Sequence, residues 1–380
     1  MRIALYSERL TPPFDEGIKN VAWHLIRELR GRHDVLALTA VYGFRATPFR
    51  RSSRASAIGE KTVAGPSGGG EEAEGIISLP ANPLLLSPAL ARALWRFRPD
   101  LVLYIPTACA TPFSFWRSRM LKRWSRGAPV ALIALQVRRY SPMARRVMAR
   151  LRPEVVLAQS AATRESLKPV GVRLLTMPPA VDLVRFRPHT PAEREALRRR
   201  YDLPVDAFLA LHVGHLNRGR NVHTLAALQS DGVQVLVVGS SSTPHDAALI
   251  AELVGAGVRV IDRHVPRVEE LYGLADAYCF PVRGENSAID LPLSVLEAMA
   301  CDLPVVTTRY GGLTAHFAEG EGFRYVDDAA QMGAALGDIR GQVQSREPGA
   351  GTRAMVQPYA WPDVAQRVVG AVCAELGIEG

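Results

Sequence analysis

Short apolar runs of strand length alternate with longer amphipathic stretches along the whole chain. This alternation is typical of a parallel β-sheet covered by helices on both faces. The runs predicted as strands are residues 3–6, 35–39, 101–104, 130–135, 155–159, 209–213, 233–238, 258–261, 277–280 and 304–307. The predicted fold class is therefore α/β, with doubly wound parallel sheets.

The strand pattern begins again after residue 200, which indicates a second domain. A length of 380 residues exceeds the size at which one hydrophobic core usually stops growing. The segment between the two patterns, 178–191, is proline-rich and irregular, as a short interdomain connection is. We therefore expect two Rossmann-like domains that face each other across a cleft, with ligand at the carboxyl ends of the strands.

Three segments outside this pattern carry their own predictions. Residues 45–82 are poorly periodic and rich in Ser, Gly and Glu, so a mobile loop is expected there. Residues 341–351 indicate a second loose segment. Residues 361–376 are predicted as the last helix, since Pro362 and Asp363 suit a helix start.

Composition indicates an ordinary globular protein. Hydrophobic residues make up 48% and charged residues 22%, which argues against wholesale disorder and against a bundle of membrane spans. The first residues form an apolar run that meets charge too early for a signal peptide, so a cytoplasmic protein is expected. The cysteines lie far apart in apolar surroundings, which favours buried thiols over a disulfide framework or a metal cluster.

The formal net charge of +9 favours an anionic partner. A nucleotide, a nucleic acid, an acidic polymer or a membrane surface would each satisfy it. Trp116 and Trp124 interleave with basic residues between 117 and 126, a pattern that fits an interface-seeking amphipathic helix. Peripheral contact with the inner face of a membrane is one interpretation. A solvated helix whose tryptophans cover the core is the other.

An acidic loop stands directly before a predicted helix at residues 284–300. Pro292 suits a helix start, so the amides of Leu293 and Ser294 would form an anion-binding end. Glu297 follows roughly one and a half turns later, where its carboxylate could accept hydrogen bonds from a sugar hydroxyl. A phosphate beside a sugar is the ligand this pattern indicates. A capped core helix with one surface Glu is the alternative.

The predicted strand 209–213 runs into a glycine turn with cations that ends at Asn221. Arg220 is the best candidate diphosphate ligand, because its planar fork binds phosphate oxygens in pairs. His215 could donate a second hydrogen bond beside Gly214. The alternative is that Arg218 and Arg220 only solvate the loop.

A similar loop follows the first predicted strand, at residues 11–20. Gly17 permits close backbone approach, and Lys19 and Asn20 could donate hydrogen bonds to a phosphate. The alternative is a tight strand-to-helix turn.

With these motifs in order, the chain resembles the retaining family 4 glycosyltransferases of the GT-B fold nearly end to end. The matching landmarks are the loop 12–20, Pro99-Asp100, Ala180-Val181-Asp182, Phe186, Pro188, the turn 214–221, Val237-Val238-Gly239, Glu270-Leu271, Ala275-Asp276, the segment 293–300, Pro304 and Gly311-Gly312. The resemblance implies an acceptor-side domain over 1–184, with 361–380 crossing back to it, and a donor-binding domain over 185–360.

The resemblance also implies roles for particular residues. Glu297 matches the second Glu of the family's two-glutamate motif, which holds the donor ribose, and Arg220 matches the diphosphate-binding Lys. With Gln136 in the first domain, these are the predicted catalytic residues. The predicted donor-binding residues are Gly17, Lys19, Gly214, His215, Arg220, Asn221, Glu285, Asp290, Leu293, Ser294 and Glu297.

Three positions depart from the family pattern. The first Glu of the two-glutamate motif would fall on Ile289, so either Asp290 or Glu285 supplies that carboxylate or its role is lost. His215 stands where an Arg normally assists the diphosphate. Gln136 occupies the place of a His in the first domain, where it could hydrogen-bond a sugar hydroxyl but not exchange protons.

The sequence therefore predicts a retaining, metal-independent glycosyltransferase that uses a nucleotide diphosphate sugar and no further cofactor. Its acceptor would be a glycan, a lipid-linked molecule or a small molecule, in glycoconjugate, polysaccharide or natural-product biosynthesis. The alternative is a nucleotide-sugar-binding protein of the same fold that has lost turnover. A sugar phosphorylase, an epimerase and a nucleic-acid-binding protein are less favoured, since their signatures are missing.

Overall fold

The computed structural model describes residues 1–380 except 9, 15, 42–60, 63–74, 83, 108, 241–244, 321, 344–350 and 380. The chain divides into two compact units. The first contains Met1–Met177 and Ala365–Gly380, and the second contains Pro178–Val364. Each unit has its own mostly parallel sheet with helices, so the predicted α/β class with two doubly wound domains is confirmed.

The first unit is built on an eight-stranded sheet. Its strands are β1 (Arg2–Ser7), β2 (Asp34–Val41), β3 (Lys61–Thr62), β4 (Ile76–Pro80), β5 (Leu101–Ile105), β6 (Val130–Ala134), β7 (Val155–Ala158) and β8 (Arg173–Thr176). Their order is β3-β4-β2-β1-β5-β6-β7-β8, and only β3 with β4 is antiparallel among these pairs. Its helices are α1 (Gly17–Arg30), α2 (Pro88–Phe97), α3 (Pro112–Trp124), α4 (Pro142–Arg150) and α5 (Ala161–Leu167), with a 3₁₀ turn at Lys168–Val170.

The second unit is built on a six-stranded parallel sheet. Its strands are β9 (Phe208–Gly214), β10 (Val233–Gly239), β11 (Arg259–Ile261), β12 (Ala277–Phe280), β13 (Val305–Thr307) and β14 (Phe323–Tyr325), in the order β11-β10-β9-β12-β13-β14. Its helices are α6 (Pro191–Arg200), α7 (Ala247–Gly255), α8 (Val268–Leu274), α9 (Leu293–Ala300), α10 (Leu313–His316), α11 (Ala329–Val343) and α12 (Arg353–Val356). Three 3₁₀ segments lie at Arg218–Arg220, Val222–Leu228 and Gln357–Tyr359. The last helix, α13 (Trp361–Leu376), contains the boundary between the two units.

Local sequence explains why these elements form. The central strands β5 and β6 are buried at every position, because helices cover both faces of a parallel sheet and demand apolar residues on each. Helices α3 and α6 begin with a capping box, in which Thr111 and Thr190 accept from the third helical amide, followed at once by proline. The fully apolar runs of β5 and β6 thus lie in the interior of the first sheet.

All ten predicted strands and the predicted last helix are confirmed, and four short strands were missed. The prediction of a loop over 45–82 was wrong at Ile76–Pro80, where β4 pairs with β2 and buries Ile76 and Leu79. The missed strands β3, β8 and β14 lie at sheet edges, where no continuous apolar run is required. The rest of that loop, 45–60 and 63–74, and most of the segment 341–351 lie outside the described residues.

Two further expectations concern the interior and the membrane. Cys109, Cys279, Cys301 and Cys373 are all buried free thiols, as predicted. Over the part of the chain that the structure describes, no helix is both long and apolar enough to cross a bilayer.

Each sheet has one point at which the chain order reverses. In the first unit this switch point lies between neighbouring strands β1 and β5, and in the second it lies between β9 and β12. Loops that leave two such strands diverge to opposite sides and open a crevice at the carboxyl ends, where ligands of doubly wound proteins bind. The two switch points are the places to look for chemistry.

Candidate functional site

Strand β9 ends at the second switch point in a glycine, and Arg220 lies against it. A Cβ added to Gly214 would stand 3.1 Å from Nη1 of Arg220 and 3.1 Å from Nε2 of His212. Any larger residue would therefore crowd the guanidinium. Asn221 follows with φ of 57°, a left-handed conformation that Asn tolerates, and its amide donates to the Pro281 carbonyl at 3.3 Å. The cationic loop is thereby tied to the end of β12.

The acidic loop after β12 is held from two sides. Ser287 donates through its hydroxyl to the Gly219 carbonyl at 3.1 Å, which joins this loop to the cationic one. The Tyr310 hydroxyl accepts from the Ala288 amide at 2.8 Å and donates to the Ala288 carbonyl at 2.7 Å. Burial raises the pKa of Tyr310 to about 12, so the hydroxyl keeps its proton for the second bond.

Gly311 sets the position of Asp290. It has φ of 57°, and a Cβ there would lie 2.1 Å from the Asp290 carbonyl oxygen, so only glycine fits. The next amide, Gly312, donates to the same carbonyl at 2.7 Å. Asp290 is 2% exposed, whereas Glu285 is exposed on the loop tip. The two carboxylates predicted to hold the donor sugar thus have very different surroundings.

Helix α9 begins at Leu293, with Pro292 as the capping residue. The amides of Leu293 and Ser294 stand in the first turn, where no intrahelical carbonyl is available to them. The Val295 amide already bonds to the Pro292 carbonyl at 3.1 Å. Amides in this position are the groups by which a helix start binds an anion.

Glu297 projects from the second turn of α9 and is held by a tyrosine. The hydroxyl of buried Tyr272 donates to its Oε2 at 2.8 Å. Burial raises the pKa of the Glu297 carboxyl, while the bond from Tyr272 and the charge of Arg185 oppose that shift. A carboxylate has about four lone-pair sites, and Tyr272 uses one, so Glu297 can accept further bonds from hydroxyls.

Tyr278 connects these parts, and the sequence analysis did not identify it. Its hydroxyl donates to the Val213 carbonyl at 3.2 Å, and the Ser294 side chain also bonds to it. Burial raises its pKa strongly, with Glu297 raising it further and Arg220 lowering it. The Tyr278 hydroxyl therefore links the end of β9 to the first turn of α9.

His212 was also missed, although a histidine inside an apolar strand run was a visible signal. It is fully buried on β9, with Nδ1 at 2.9 Å from the Cys279 carbonyl oxygen. Burial lowers its pKa to about 4, and the charge of Arg220 lowers it as well. The imidazole is therefore neutral across the physiological range.

The remaining predicted residues belong to the first unit. Gly17 starts α1, and Lys19 lines a small pocket with Ser7, Glu16, Ile18 and Thr107 at the first switch point. The predicted donors of this loop also serve the loop itself. Lys19 Nζ reaches the Pro13 carbonyl at 3.5 Å, and the Asn20 amide donates to the Phe14 carbonyl at 3.3 Å.

Gln136 lies just past the end of β6 and is half-buried. Strand β6 neighbours β5, so Gln136 stands at the carboxyl edge of the first sheet. The structure thus gathers nine of the predicted residues around the second switch point, namely Gly214, His215, Arg220, Asn221, Glu285, Asp290, Leu293, Ser294 and Glu297. Gly17, Lys19 and Gln136 lie at the edge of the first sheet.

A buried carboxylate at the first switch point escaped sequence analysis altogether. Glu8 follows β1, is 4% exposed, and accepts from Arg117 Nη1 at 2.6 Å and from the Thr107 hydroxyl at 3.0 Å. The hydroxyl of Tyr104 donates to it too, and burial and Glu8 raise the pKa of that phenol. Arg117, which the sequence suggested for a membrane surface, instead pairs inside the unit.

Metal ligation was tested on the same residues. Within the described ranges, no group of three or more His, Cys, Asp or Glu side chains is arranged to hold an ion.

Part of the second unit matches a known protein family. Residues 211–340 match the sequence model of the family described as Glycosyl transferases group 1. The D-inositol 3-phosphate glycosyltransferase of Geodermatophilus obscurus is 33% identical over 224 residues, which cover 53% of this chain and 47% of that protein. That of Mycolicibacterium smegmatis is 31% identical over 201 residues, covering 50% and 44%. The chain spans about half the length of the curated relatives it matches.

Solved structures are similar along nearly the whole chain. HepE of Anabaena in complex with UDP-glucose has a TM-score of 0.73 at 15% identity, covering 98% of this chain and 100% of that one. Sucrose-phosphate synthase of Thermosynechococcus elongatus has a TM-score of 0.73 at 19% identity, covering 99% of each. The fold is therefore that of the GT-B glycosyltransferases.

The family match lies within the second unit, and the resemblance to the family 4 glycosyltransferases of GT-B fold is confirmed.

Proposed function

We propose that this protein is a glycosyltransferase that moves a sugar from a nucleotide diphosphate sugar to an acceptor hydroxyl with retention of anomeric configuration. The observation that carries the proposal is that Arg220 follows β9, and α9 with Glu297 follows β12, at one switch point. A cation, free amides and a held carboxylate are the groups that a diphosphate next to a ribose requires.

The diphosphate would lie between the guanidinium of Arg220 and the first amides of α9, at Leu293 and Ser294. His215, half-buried in the same loop as Arg220, would donate one further bond. Asn221 would act through the loop, because its amide is bonded to the Pro281 carbonyl. The structures of HepE with UDP and with UDP-glucose support a donor of this class.

The ribose and the sugar would be held by carboxylates in and before α9. Glu297 would accept from the ribose hydroxyls in the orientation that Tyr272 sets. Buried Asp290 is better placed than exposed Glu285 to bind a sugar hydroxyl, because it lies next to the anion-binding helix start. On the acceptor side we assign Gly17, Lys19 and Gln136, of which Lys19 lines the pocket at the first switch point.

The reaction needs no protein nucleophile. The bond between the anomeric carbon and the diphosphate breaks, and the acceptor oxygen forms its bond to that carbon from the same face. The proton of the acceptor hydroxyl passes to the departing phosphate oxygen. Arg220 and the amides of α9 stabilise the charge on the leaving diphosphate, a role that a metal ion would otherwise fill. Turnover should therefore survive EDTA.

A panel of UDP-, GDP- and ADP-sugars, screened by thermal shift and by nucleotide release, tests the proposal. The variants are Arg220→Ala and Glu297→Ala. The matched control is Arg218→Ala, since Arg218 lies in the same turn but pairs with Glu252. We expect donor binding to fall about 100-fold in Arg220→Ala and to stay near wild type in the control. Equal loss in both arginine variants would contradict the proposed site.

A binder that has lost turnover is the second candidate, and Ile289 favours it. The side chain at this position is apolar and 6% exposed, where the family pattern has a carboxylate. Nucleotide release is measured with glycan, lipid-linked and small-molecule acceptors. Inositol 3-phosphate is included because it appears in the names of the relatives. Donor binding without release under all of them would establish the binder.

We also propose that α3 and α4 make peripheral contact with an anionic membrane. Phe113 is 59% exposed and Met143 is 68% exposed. Exposed arginines, Arg119, Arg123 and Arg146, stand on the same two helices. Basic residues around exposed apolar side chains are what an anionic bilayer surface attracts.

Flotation with vesicles that contain anionic lipid tests this contact. The triple variant Arg119→Ala, Arg123→Ala and Arg146→Ala should lose binding. A control that removes the same charge from exposed positions of the second unit, Arg199→Ala, Arg263→Ala and Arg324→Ala, should keep it. If both triples bind alike, net charge rather than this face governs the contact.

A further inference from the structure

His212 lies at the second switch point, yet the reaction proposed above gives it no role. It stands on β9 two residues before Gly214 and is fully buried. Tyr278 and Phe280 lie on the neighbouring strand, and the centroid of each ring is 6.3 Å from the centroid of the imidazole. The ring is therefore held in one orientation by its packing.

The hydrogen bond of Nδ1 decides the tautomer. A carbonyl oxygen can only accept, so the contact of 2.9 Å to the Cys279 carbonyl places the proton on Nδ1. Nε2 then presents a lone pair. This nitrogen is buried and has no hydrogen-bond partner among the described residues. A buried polar atom in that condition needs an explanation, because such groups are nearly always satisfied.

The lone pair of Nε2 and the guanidinium of Arg220 face the same small space. The Cβ position of Gly214 is 3.1 Å from Nε2 and 3.1 Å from Nη1 of Arg220, so glycine leaves room between them. A phosphate oxygen could not satisfy Nε2, since both atoms are acceptors. A guanidinium could, because it carries five N–H donors in one plane.

We propose that His212 is a positioning residue that accepts a hydrogen bond from Arg220 when the diphosphate binds, and so turns the other N–H groups of that guanidinium toward the phosphates. The inference rests on the proposed function, since it requires Arg220 to bind the diphosphate. The neutral imidazole adds no charge of its own. Its effect is on the direction of the guanidinium plane, which bidentate binding of phosphate requires.

Calorimetry on the whole protein with matched nucleoside diphosphates and monophosphates tests the role. The pairs are UDP with UMP, GDP with GMP and ADP with AMP. His212→Asn keeps a polar group near Nδ1 but removes the acceptor at Nε2, and His212→Gln restores a carbonyl acceptor near Nε2. We expect His212→Asn to weaken diphosphate binding about tenfold, with monophosphate binding unchanged, and His212→Gln to recover most of the loss. In an Arg220→Ala background His212→Asn should add little, because the guanidinium it orients is gone.

The failures of the two proposals are distinguishable. If Arg220→Ala weakens diphosphate binding and His212→Asn does not, the positioning role is overturned and the donor site stands. If the wild-type protein binds no nucleoside diphosphate, both are overturned. Nitrogen-15 NMR of the wild-type histidines gives a readout that needs no folded variant. The Nε2 resonance of His212 should move on addition of the bound diphosphate, as a lone pair does when it accepts a hydrogen bond, and an unmoved resonance contradicts the proposal.

Discussion

The two switch points share one topology and carry opposite chemistry. In the first unit the buried carboxylate of Glu8 lies at the end of β1 and is paired with Arg117. In the second, the crevice between β9 and β12 holds Gly214, Arg220 and a neutral His212. The charge of Glu8 is compensated inside the protein, whereas Gly214 leaves space beside the guanidinium of Arg220. The same fold therefore provides the place, and the residues after each strand decide what binds there.

The largest expected loss of stability is that caused by removing Glu8. Glu8→Ala removes a buried carboxylate from the half-buried guanidinium of Arg117, which should destabilise the protein by about 3–5 kcal/mol. Urea unfolding measures the loss. Glu165→Ala is the control, because its pair with Lys168 is exposed and worth little. Equal small effects for both variants would show that the first switch point is not held by this pair.

Substituting Gly311 disturbs the backbone of the second switch point. Gly311→Ala brings a Cβ to 2.1 Å from the Asp290 carbonyl at a left-handed φ, and it should cost about 2–3 kcal/mol. Donor binding should weaken as the acidic loop moves. Gly337→Ala is matched to it, since that helical glycine has open space around it and gains helix propensity. Wild-type stability and donor affinity in Gly311→Ala would exclude a positioning role for this contact.

The neutral state of His212 predicts a loss of stability in acid. Its pKa is about 4 in the folded protein against an ordinary 6.5, so the unfolded chain binds the proton first as pH falls. The stabilisation is complete above pH 6.5 and is lost between pH 6.5 and pH 4. The free energy of unfolding should be lower by roughly 2 kcal/mol at pH 5 than at pH 7. Urea midpoints of wild type and His212→Gln at pH 7 and pH 5 measure it. His215→Gln controls for a half-buried histidine of the same site, and parallel pH profiles for wild type and His212→Gln would refute the neutral state.

The smallest expected effect concerns Glu297. Its folded-state pKa is raised, so its ionisation opposes folding at neutral pH, and this cost disappears as pH falls below the ordinary value. Glu297→Gln should raise stability at pH 7, with no gain in acid. It should also weaken donor binding. Glu195→Gln, on an exposed helical pair, should change neither. A variant that loses stability while keeping donor affinity would mean that Glu297 is a structural group only.

The sequence analysis identified the second switch point far better than the first. The glycine turn with Arg220 and the helix start at Leu293 are local patterns, and each was readable within a few residues. Glu8 was not identified, because nothing near it in the chain shows that Tyr104, Thr107 and Arg117 close over it from about a hundred residues away. Short edge strands such as β8 were missed for a related reason, since their pairing rather than their apolar pattern defines them.

The sequence by itself determined the elements and their order. Buried parallel strands require apolar runs, helices require caps and amphipathic periods, and tight turns require glycine, so these features are written locally. Only the tertiary structure decided which polar groups are available. Glu285 and Asp290 look alike in the chain, yet one is exposed and the other buried. Tyr272 and Glu297 are 25 residues apart and meet because α8 and α9 pack together. Burial and pairing depend on contacts between distant segments, and these set the charge and orientation that a local pattern cannot specify.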